Sequence, residues 1–513
     1  MNPKFSRGVY LIAISGMIFL AASALNPAYE YFIDEFYYLA CADNPSFGYI
    51  DHPPLSVWFL GLIKIIFGNS ILAMRITAAL SYAAIVFVSA LISSELGGKR
   101  FAQNLTALAV AYFPLILVLA GFYTMNIFEI LIFSLIILYI IKAGKTGNPK
   151  HWLIAGVFLG LAFLNKHTIV LFAMGLLFGL LFSPMRKNLM SRYFWLAVLI
   201  AFLIFLPNLI WLTSTGFQSL EFYGNANLYK NIQTPPSEFI KMQAIFANPL
   251  FLPVILAGFI YFLQKDNRKY SFIPVTFLFV FVIMLISGSS RPDRLTAAYP
   301  GIIAGGALFF EKLAIKKKNA LFKILPVPFI IAGALIYLPI TTTILPPGTL
   351  TGYLAKLGLT EMEIEKGKVQ ALPQYIADKI GWREVALGLS EKYLNLPDSI
   401  RTKTAVFATY YGLAGALELY TEDFAVPKVL CPHNNYYLWG KEYLENNPGK
   451  IEYVITVGIR KEEIRKSFNK AEFLGIIENR EYAPEYLQER QIFIASQPRK
   501  PLPELFKQSR KFL

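Results

Sequence analysis

Two short segments near the start of the chain concentrate side chains that could perform acid–base chemistry. Asp34 and Glu35 are adjacent, and Asp51 and His52 lie just before a pair of prolines. A carboxylate taken out of water acquires a raised pKa and can act as a general base at neutral pH. Asp34 and Glu35 are therefore the predicted catalytic residues. The alternative is a solvated acidic pair at a helix end.

Basic side chains elsewhere in the chain suit the recognition of a phosphate group. Proline after His52 favours an extended conformation at that residue, which presents the imidazole away from the following helix. A donor at a helix N-terminus is a plausible phosphate anchor, and arginine suits bidentate phosphate binding. The predicted phosphate-binding residues are His52, Lys166, Arg291 and Arg294. For Lys166-His167 and for Arg291-Pro292-Asp293-Arg294 the alternative is side chains that extend towards the membrane interface. For Asp51-His52-Pro53-Pro54 the alternative is a turn that begins the surface helix.

Aromatic and polar side chains surround these groups in the sequence, and aromatic faces can stack on sugars. The predicted substrate-binding residues are Tyr37, Tyr38, Asp51, His167, Glu221 and Tyr299. A divalent ion held by Asp34, Glu35 or Asp51 is chemically possible because hard cations prefer oxygen ligands, although the spacing does not demand one. With two cysteines, Cys41 and Cys431, the chain has no disulfide framework; two unpaired thiols are expected, and the alternative is a single bond between them if both face an oxidising compartment.

The composition of the chain is that of a membrane protein. Hydrophobic residues make up 55% of the 513 residues, and the mean hydropathy is +0.48. Apolar runs close to the length of a bilayer crossing predict eleven spans. Their approximate positions are 8–26, 72–95, 101–119, 126–142, 152–164, 168–184, 193–213, 249–264, 271–287, 295–311 and 324–344. The first run resembles a signal peptide, but the further runs favour an uncleaved first span.

The charges between these runs predict the orientation of the chain. The loops on one side carry eighteen Lys and Arg residues, and the loops on the other side carry six. The positive-inside rule therefore places the N-terminus in the cytoplasm and the C-terminal region outside. The ionisable candidate residues then fall on the outer face: Asp34, Glu35, Asp51, His52, Lys166, His167, Glu221, Arg291, Asp293 and Arg294. The net charge of +15 follows from these short loops and does not indicate a nucleic-acid partner.

The sequence divides into a membrane part, 1–345, and a predicted extracytoplasmic soluble α/β domain, 346–513. The first outer loop, 27–71, contains an apolar segment from Leu55 to Phe67 that suits a helix lying along the interface. A second long outer loop spans 214–248. In the last part, β-like runs alternate with amphipathic helical stretches. These runs are Thr404–Thr409, Lys428–Cys431, Glu452–Val457 and Ile492–Ala495.

The motif residues resemble a known family. Asp34-Glu35 after the first span, and the segment from Gly48 to Leu55 that contains Asp51-His52-Pro53-Pro54, are similar to the bacterial members of the dolichyl-phosphate-mannose protein mannosyltransferase superfamily. These are GT-C glycosyltransferases and include the aminoarabinose transferases that act on lipid A. The segment from Gly160 to His167, and more loosely Arg294 to Pro300, carries the same resemblance.

The resemblance implies a polytopic helical GT-C fold and a glycosyltransferase in the bacterial cytoplasmic membrane. It implies a polyprenyl-phosphate-linked monosaccharide as donor, an inverting displacement, and Asp34 as the base. The position of His52 corresponds to a lysine in the aminoarabinose branch. Many relatives have a second Asp shortly after the third span, and the matching position in this chain is Asn126. This difference disfavours a mechanism with two carboxylates, unless Glu129 takes the place of the missing Asp. The acceptor is a lipid, a glycan or a protein.

Two other classes of membrane protein fit the sequence less well. A transporter or flippase for lipid-linked sugars predicts charged groups in mid-span and discontinuous helices in two repeated halves, whereas the sequence has few charges within the spans and no such repeat. A non-catalytic anchor for residues 346–513 does not account for the ionisable residues on the outer face. Within that last part, the clusters Tyr410-Tyr411-Gly412 and His433–Tyr437 suit either sugar contact or ordinary loop packing.

Overall fold

A computed structural model of the protein describes residues 5–288, 291–360, 362–365 and 368–513. Most of it is helical. The helices of the first 345 residues are α1 (Arg7–Ser23), α2 (Ile33–Asp43), α3 (Leu55–Phe67), α4 (Ile71–Glu95), α5 (Arg100–Ala111), α6 (Pro114–Ala120), α7 (Met125–Thr146), α8 (Lys150–Asn165), α9 (Ile169–Leu181), α10 (Arg192–Ser214), α11 (Gln218–Asn225), α12 (Pro236–Phe246), α13 (Leu252–Leu263), α14 (Phe272–Ile286), α15 (Tyr299–Lys317), α16 (Leu321–Ile324) and α17 (Pro326–Thr341).

The remainder of the chain contains shorter helices and all the described strands. The helices are α18 (Pro347–Lys356), α19 (Gln374–Ala377), α20 (Trp382–Leu394), α21 (Asp398–Arg401), α22 (Tyr411–Leu419), α23 (Asn435–Asn446), α24 (Lys461–Ser467) and α25 (Leu502–Gln508). The strands are β1 (Met362–Glu365), β2 (Lys368–Gln370), β3 (Thr404–Phe407), β4 (Lys428–Leu430), β5 (Tyr453–Val457), β6 (Phe468–Ile477) and β7 (Arg490–Pro498).

Apolar helical segments lie at all eleven predicted span positions. A backbone that is out of contact with water must satisfy its hydrogen bonds internally, and a helix does so within a single segment. Several of these helices are short. By length and hydropathy, five helices of the described chain are sufficient to cross a membrane, or eight if each bent pair of helices counts as one span. The number of crossings therefore stays a prediction. Lys4, one of the predicted cytoplasmic charges, lies outside the described residues.

Three of the apolar segments are bent pairs. Arg100–Ala111 and Pro114–Ala120 meet at 60°, Ile169–Leu181 and Pro184–Met190 at 109°, and Pro236–Phe246 and Pro249–Leu263 at 79°. In each pair the second segment opens with a proline, which lacks the N–H that would continue the preceding helix. The first outer loop contains α2 and α3, and α3 occupies the segment that the sequence predicts.

The last part of the chain contains a five-stranded mixed sheet with the order β4-β3-β5-β7-β6. Strand β3 pairs in parallel with β4 and β5, and β7 pairs antiparallel with β5 and β6. Strands lie at all four of the β-like runs recognised in the sequence. Helix α22 leads away from this sheet and packs against α2 of the first outer loop. This contact connects the sheet to the candidate site.

Candidate active site

Asp34 lies in the first turn of α2 and is partly accessible to solvent. Its Oδ1 accepts a hydrogen bond of 2.8 Å from the hydroxyl of Tyr411. Burial raises the pKa of this carboxyl above its ordinary value, and Asp51 also raises it, whereas Tyr411, Lys230 and Arg291 lower it. A carboxylate in such a setting has the properties of a general base.

Glu35 is the next residue, but it faces the opposite way. Both of its oxygens are held by Arg75, at 2.8 Å from Nε and 2.7 Å from Nη2. They also accept hydrogen bonds from the backbone N–H groups of Tyr123 and Phe32. The Glu35 side chain is fully buried. A carboxylate with four such donors and no access to solvent is not available as a base, so this geometry argues against the predicted catalytic role of Glu35.

His52 packs against two aromatic side chains of α2, the helix that carries Asp34. The His52 ring stacks on Tyr38 with centroids 4.8 Å apart and meets the edge of Tyr37 at 5.8 Å. Its Nδ1 lies 2.9 Å from the carbonyl oxygen of Pro53. Because a carbonyl only accepts, Nδ1 carries a proton, and the assignment of that tautomer follows from this contact. The buried Nε2 has no hydrogen-bond partner among the described residues.

Asp51 adjoins His52 and connects the first outer loop to the second. Its Oδ1 accepts a 2.9 Å hydrogen bond from Tyr37, and its backbone oxygen lies 3.3 Å from the hydroxyl of Tyr223. That hydroxyl also lies 3.0 Å from Nδ1 of His167. Burial lowers the pKa of His167 to about 4, and His52 adds to this effect. His167 is therefore neutral at neutral pH.

The predicted basic ligands differ in how they are held. Lys166 is buried and donates to Glu129 at 2.7 Å, and Thr168 donates to the other oxygen of Glu129. Arg291 is exposed and forms two contacts of 3.0 and 3.2 Å with Asp293. Arg294 lies close enough to Glu129 and Tyr223 to interact electrostatically with both. These groups line one region, in which Lys166 and Glu129 neutralise each other.

Two of the predicted substrate-binding residues lie elsewhere. Glu221 is exposed and pairs with Arg510 at 3.0 Å. Tyr299 is buried, packs against Phe113 and Phe277, and donates to Gln243. An exposed ion pair and a packed aromatic side chain leave neither residue free to contact a substrate, so the geometry argues against both predictions. Tyr37 and Tyr38 are buried, and their contacts orient Asp51 and His52.

Residues that contribute to the site were missed in the sequence or given another interpretation. Arg75 lies inside an apolar span, and an arginine in such a run usually has a buried partner, which was the available signal. Tyr223 carries no local motif, and Asn435 belongs to the His433–Tyr437 cluster, for which the sequence suggests either sugar contact or loop packing. Asn435 Oδ1 accepts a 2.7 Å hydrogen bond from the N–H of Ile50, which fixes the loop before Asp51. Within the described chain, no three His, Cys, Asp or Glu side chains are grouped as metal ligands. Cys41 and Cys431 are buried free thiols.

Comparisons with known proteins connect this site to a family. The sequence model of the dolichyl-phosphate-mannose-protein mannosyltransferase family matches residues 51–211. A curated relative, the lipid A galacturonosyltransferase RgtD of Rhizobium johnstonii, is 26% identical over 215 residues, which are 41% of this chain and 44% of the relative. The matched segment thus spans less than half of that relative.

Solved structures share the fold at low sequence identity. ArnT from Cupriavidus metallidurans, bound to undecaprenyl phosphate, superposes with a TM-score of 0.62 at 13% identity and covers 94% of this chain and 97% of its own. The Archaeoglobus fulgidus oligosaccharyltransferase gives a TM-score of 0.51 at 14% identity, over 87% of this chain and 67% of its own. The resemblance read from the motifs is confirmed. The chain has the GT-C fold, and its residues 51–211 match the sequence model of the dolichyl-phosphate-mannose-protein mannosyltransferase family, with similarity to one curated lipid A galacturonosyltransferase.

Proposed function

We propose that the protein is an integral-membrane glycosyltransferase. It transfers a monosaccharide from a polyprenyl-phosphate donor to a hydroxyl group of a cell-envelope acceptor (lipid A, another glycan or a protein). The observation that carries this proposal is the setting of Asp34. This carboxyl is partly accessible, only its Oδ1 accepts a hydrogen bond from the described residues, and it lies within the electrostatic reach of Lys230 and Arg291. A base beside cations suits the displacement of a phosphate from a sugar.

The chemical step uses these groups in complementary ways. Asp34 takes the proton of the acceptor hydroxyl, and the hydroxyl oxygen attacks the anomeric carbon from the face opposite the phosphate. The bond between the anomeric carbon and the phosphate oxygen breaks, and the polyprenyl phosphate leaves with the bonding electrons. One displacement inverts the anomeric carbon. Positive charge beside the leaving phosphate, from Arg291 and Arg294, together with a hydrogen bond from His52, stabilises the charge that develops there.

The relatives support a lipid-linked donor and suggest which acceptor to test first. One solved neighbour holds undecaprenyl phosphate, and the curated relative is named for transfer of galacturonic acid to lipid A. Lipid A is therefore the first acceptor to try, with donors that carry galacturonic acid, aminoarabinose or mannose. The active face is the extracytoplasmic side of the bacterial cytoplasmic membrane, as the loop charges predict. Residues 346–513 form the extracytoplasmic α/β domain in this proposal.

The test is a transfer assay on the full chain purified in detergent. Undecaprenyl phosphates that carry each of the three sugars are incubated with lipid A, and products are detected by mass spectrometry. We expect transfer by the wild type with at least one donor, and a loss of about 10²- to 10⁴-fold in Asp34→Asn. Asp43→Asn is the matched control, because Asp43 ends the same helix and is exposed. Full activity of Asp34→Asn contradicts Asp34 as the base.

A transporter or flippase for lipid-linked sugars is the second candidate. The three bent helix pairs favour it, since discontinuous helices are common in transporters. The same assay separates the two candidates, because a flippase leaves the bond between the sugar and the phosphate intact. Movement of an intact donor across vesicles, without any free polyprenyl phosphate, would favour the transporter.

A further inference from the structure

Helix α22 of the last part of the chain, called here the sheet region (residues 346–513), contacts α2 of the first outer loop. This contact depends on two glycines. Gly412 and Gly415 lie one turn apart on α22, on the side that faces α2. A Cβ atom at Gly412 would lie 2.3 Å from Cγ1 of Ile33, and one at Gly415 would lie 2.8 Å from Cβ of Phe36. Any other residue at these positions would push the two helices apart. The sequence Tyr411-Gly412-Leu413-Ala414-Gly415 therefore specifies a close approach rather than a loop that contacts sugar.

This close approach places Tyr411 directly at Asp34. Tyr411 is the first residue of α22, and its ring packs against Tyr37 with centroids 5.0 Å apart. Its hydroxyl donates to Oδ1 of Asp34 at 2.8 Å. No hydrogen bond from the residues that the structure describes reaches Oδ2. The carboxylate is thus fixed through one oxygen and left open through the other.

His433, from the second polar-aromatic cluster, holds Tyr411 in turn. Its Nδ1 accepts a 3.3 Å hydrogen bond from the backbone N–H of Tyr411, and the two rings lie 5.0 Å apart. Because Nδ1 accepts, the ring proton lies on Nε2, which donates to the backbone oxygen of Leu513. The segment 511–513 is itself tied down, since Asn434 Oδ1 accepts from the N–H of Leu513 at 3.1 Å. The imidazole is therefore fixed from both sides.

We infer that Tyr411 is a positioning residue for Asp34 and that His433 orients Tyr411 for this task. The inference rests on the proposed function, in which Asp34 is the base. The Tyr411 hydroxyl holds Oδ1 so that Oδ2 faces the acceptor, and a misplacement of about 1 Å at a base is costly for the rate. The sheet region thereby supplies part of the catalytic apparatus, in addition to any role in choosing the acceptor.

The hydroxyl also acts on the protonation of Asp34. Burial and Asp51 raise the pKa of this carboxyl, while Tyr411, Lys230 and Arg291 lower it. Tyr38 also interacts electrostatically with Asp34. Loss of the Tyr411 hydroxyl removes a donor that stabilises the charged form, so the pKa of Asp34 rises further. A base with a higher pKa is protonated over a wider range of acidic pH.

The first experiment measures kcat, KM for the donor and the pH profile of Tyr411→Phe in the transfer assay. We expect kcat at neutral pH to fall about tenfold to a hundredfold, with KM changed less than about twofold. We also expect the acidic limb of the profile to move to higher pH, so that alkaline conditions restore part of the rate. Tyr410→Phe is the control, because its hydroxyl has no polar partner among the described residues. Its rate and profile should match the wild type.

Two outcomes would overturn the inference. One is a wild-type rate and profile for Tyr411→Phe. The other is a loss of the same size at every pH, which a merely structural role would give. An inactive wild type would instead reject the proposed function, and an active Asp34→Asn would reject the base, so each failure is distinguishable.

A second pair of variants tests the orienting residue and does not alter Tyr411. The amide oxygen of His433→Asn can replace Nδ1 as the acceptor for the Tyr411 N–H, whereas His433→Ala cannot. We expect the asparagine variant to retain several times more activity than the alanine variant, and the alanine variant to show the same shift of the acidic limb as Tyr411→Phe. Equal activities of the two His433 variants would count against an orienting role of His433, and so would a loss of activity in His433→Ala without a shift of the acidic limb. This test holds even if Tyr411→Phe fails to fold.

Discussion

Glu35 and Arg75 form a buried ion pair that joins the first outer loop to α4. The guanidinium reaches both carboxylate oxygens, at 2.8 and 2.7 Å, and the exposed fractions of the Arg75 and Glu35 side chains are 3% and 0%. Arg75 also donates to the backbone oxygens of Gly121 and Glu30. Adjacent acids on one helix thus have opposite surroundings: Glu35 is neutralised and fixed, and Asp34 is open on one oxygen.

This relationship predicts that Arg75 contributes to stability. Arg75→Met leaves the Glu35 carboxylate buried without its partner, and the loss of one member of a buried pair typically costs about 3–5 kcal/mol. We expect a clear drop in the thermal unfolding temperature of the detergent-purified protein. Lys500→Met is the control, since Lys500 pairs with Glu504 on the surface. A similar unfolding temperature for both variants would contradict the structural role of the Glu35–Arg75 pair.

The setting of Asp34 predicts the pH dependence of the wild-type enzyme. Only the carboxylate form accepts a proton, and burial raises the pKa of Asp34. Activity should therefore fall as the pH is lowered through a value above that of an exposed aspartate. The measurement is kcat against pH, with the unfolding temperature followed over the same range. If activity falls only where the protein unfolds, the acidic limb reports stability and not the base.

The sequence was sufficient to predict the helix positions but not the pairing of side chains. Long apolar runs specify where helices lie, so an apolar helix lies at every predicted span position. The different roles of Asp34 and Glu35 were not predictable, because the sequence around two adjacent acidic residues does not indicate which of them has a buried partner. It depends on Arg75, which is adjacent to Glu35 only after α2 and α4 pack. Likewise, Tyr411 meets Asp34 only through the contact of α22 with α2.

The unpartnered Nε2 of His52 predicts a role in binding the donor phosphate. Nδ1 is held by the Pro53 carbonyl, so the ring orientation is fixed and Nε2 is the atom that can meet a phosphate. We expect His52→Asn to weaken the binding of undecaprenyl phosphate about tenfold.

The control for this prediction is His151→Asn, at the opposite end of the helices. His151 lies near the start of α8, and its Nδ1 contacts Thr146. Binding by this variant should be the same as in the wild type. Unchanged affinity in His52→Asn would remove His52 from the donor site.

The Lys166–Glu129 pair decides whether Lys166 binds the donor or secures the helices. Lys166 Nζ lies 2.7 Å from Glu129 Oε2, both side chains are buried, and Thr168 occupies the other oxygen. The ion pair of Lys166 and Glu129 has no net charge, so it attracts a phosphate less strongly than a lysine without an acidic partner would. We therefore expect Lys166→Met to destabilise the protein by about 3–5 kcal/mol, because Glu129 is then left buried and unpaired.

The double variant Lys166→Met/Glu129→Gln separates the two roles of the pair. It removes both charges, so the unfolding temperature should return most of the way to the wild-type value. If Lys166 is structural, undecaprenyl phosphate should bind to the double variant with nearly wild-type affinity. If Lys166 contacts the phosphate, affinity should stay low although stability is recovered, because a charge-assisted hydrogen bond to the ligand is missing in both variants. The binding measurement on this stable variant therefore assigns Lys166 to one role.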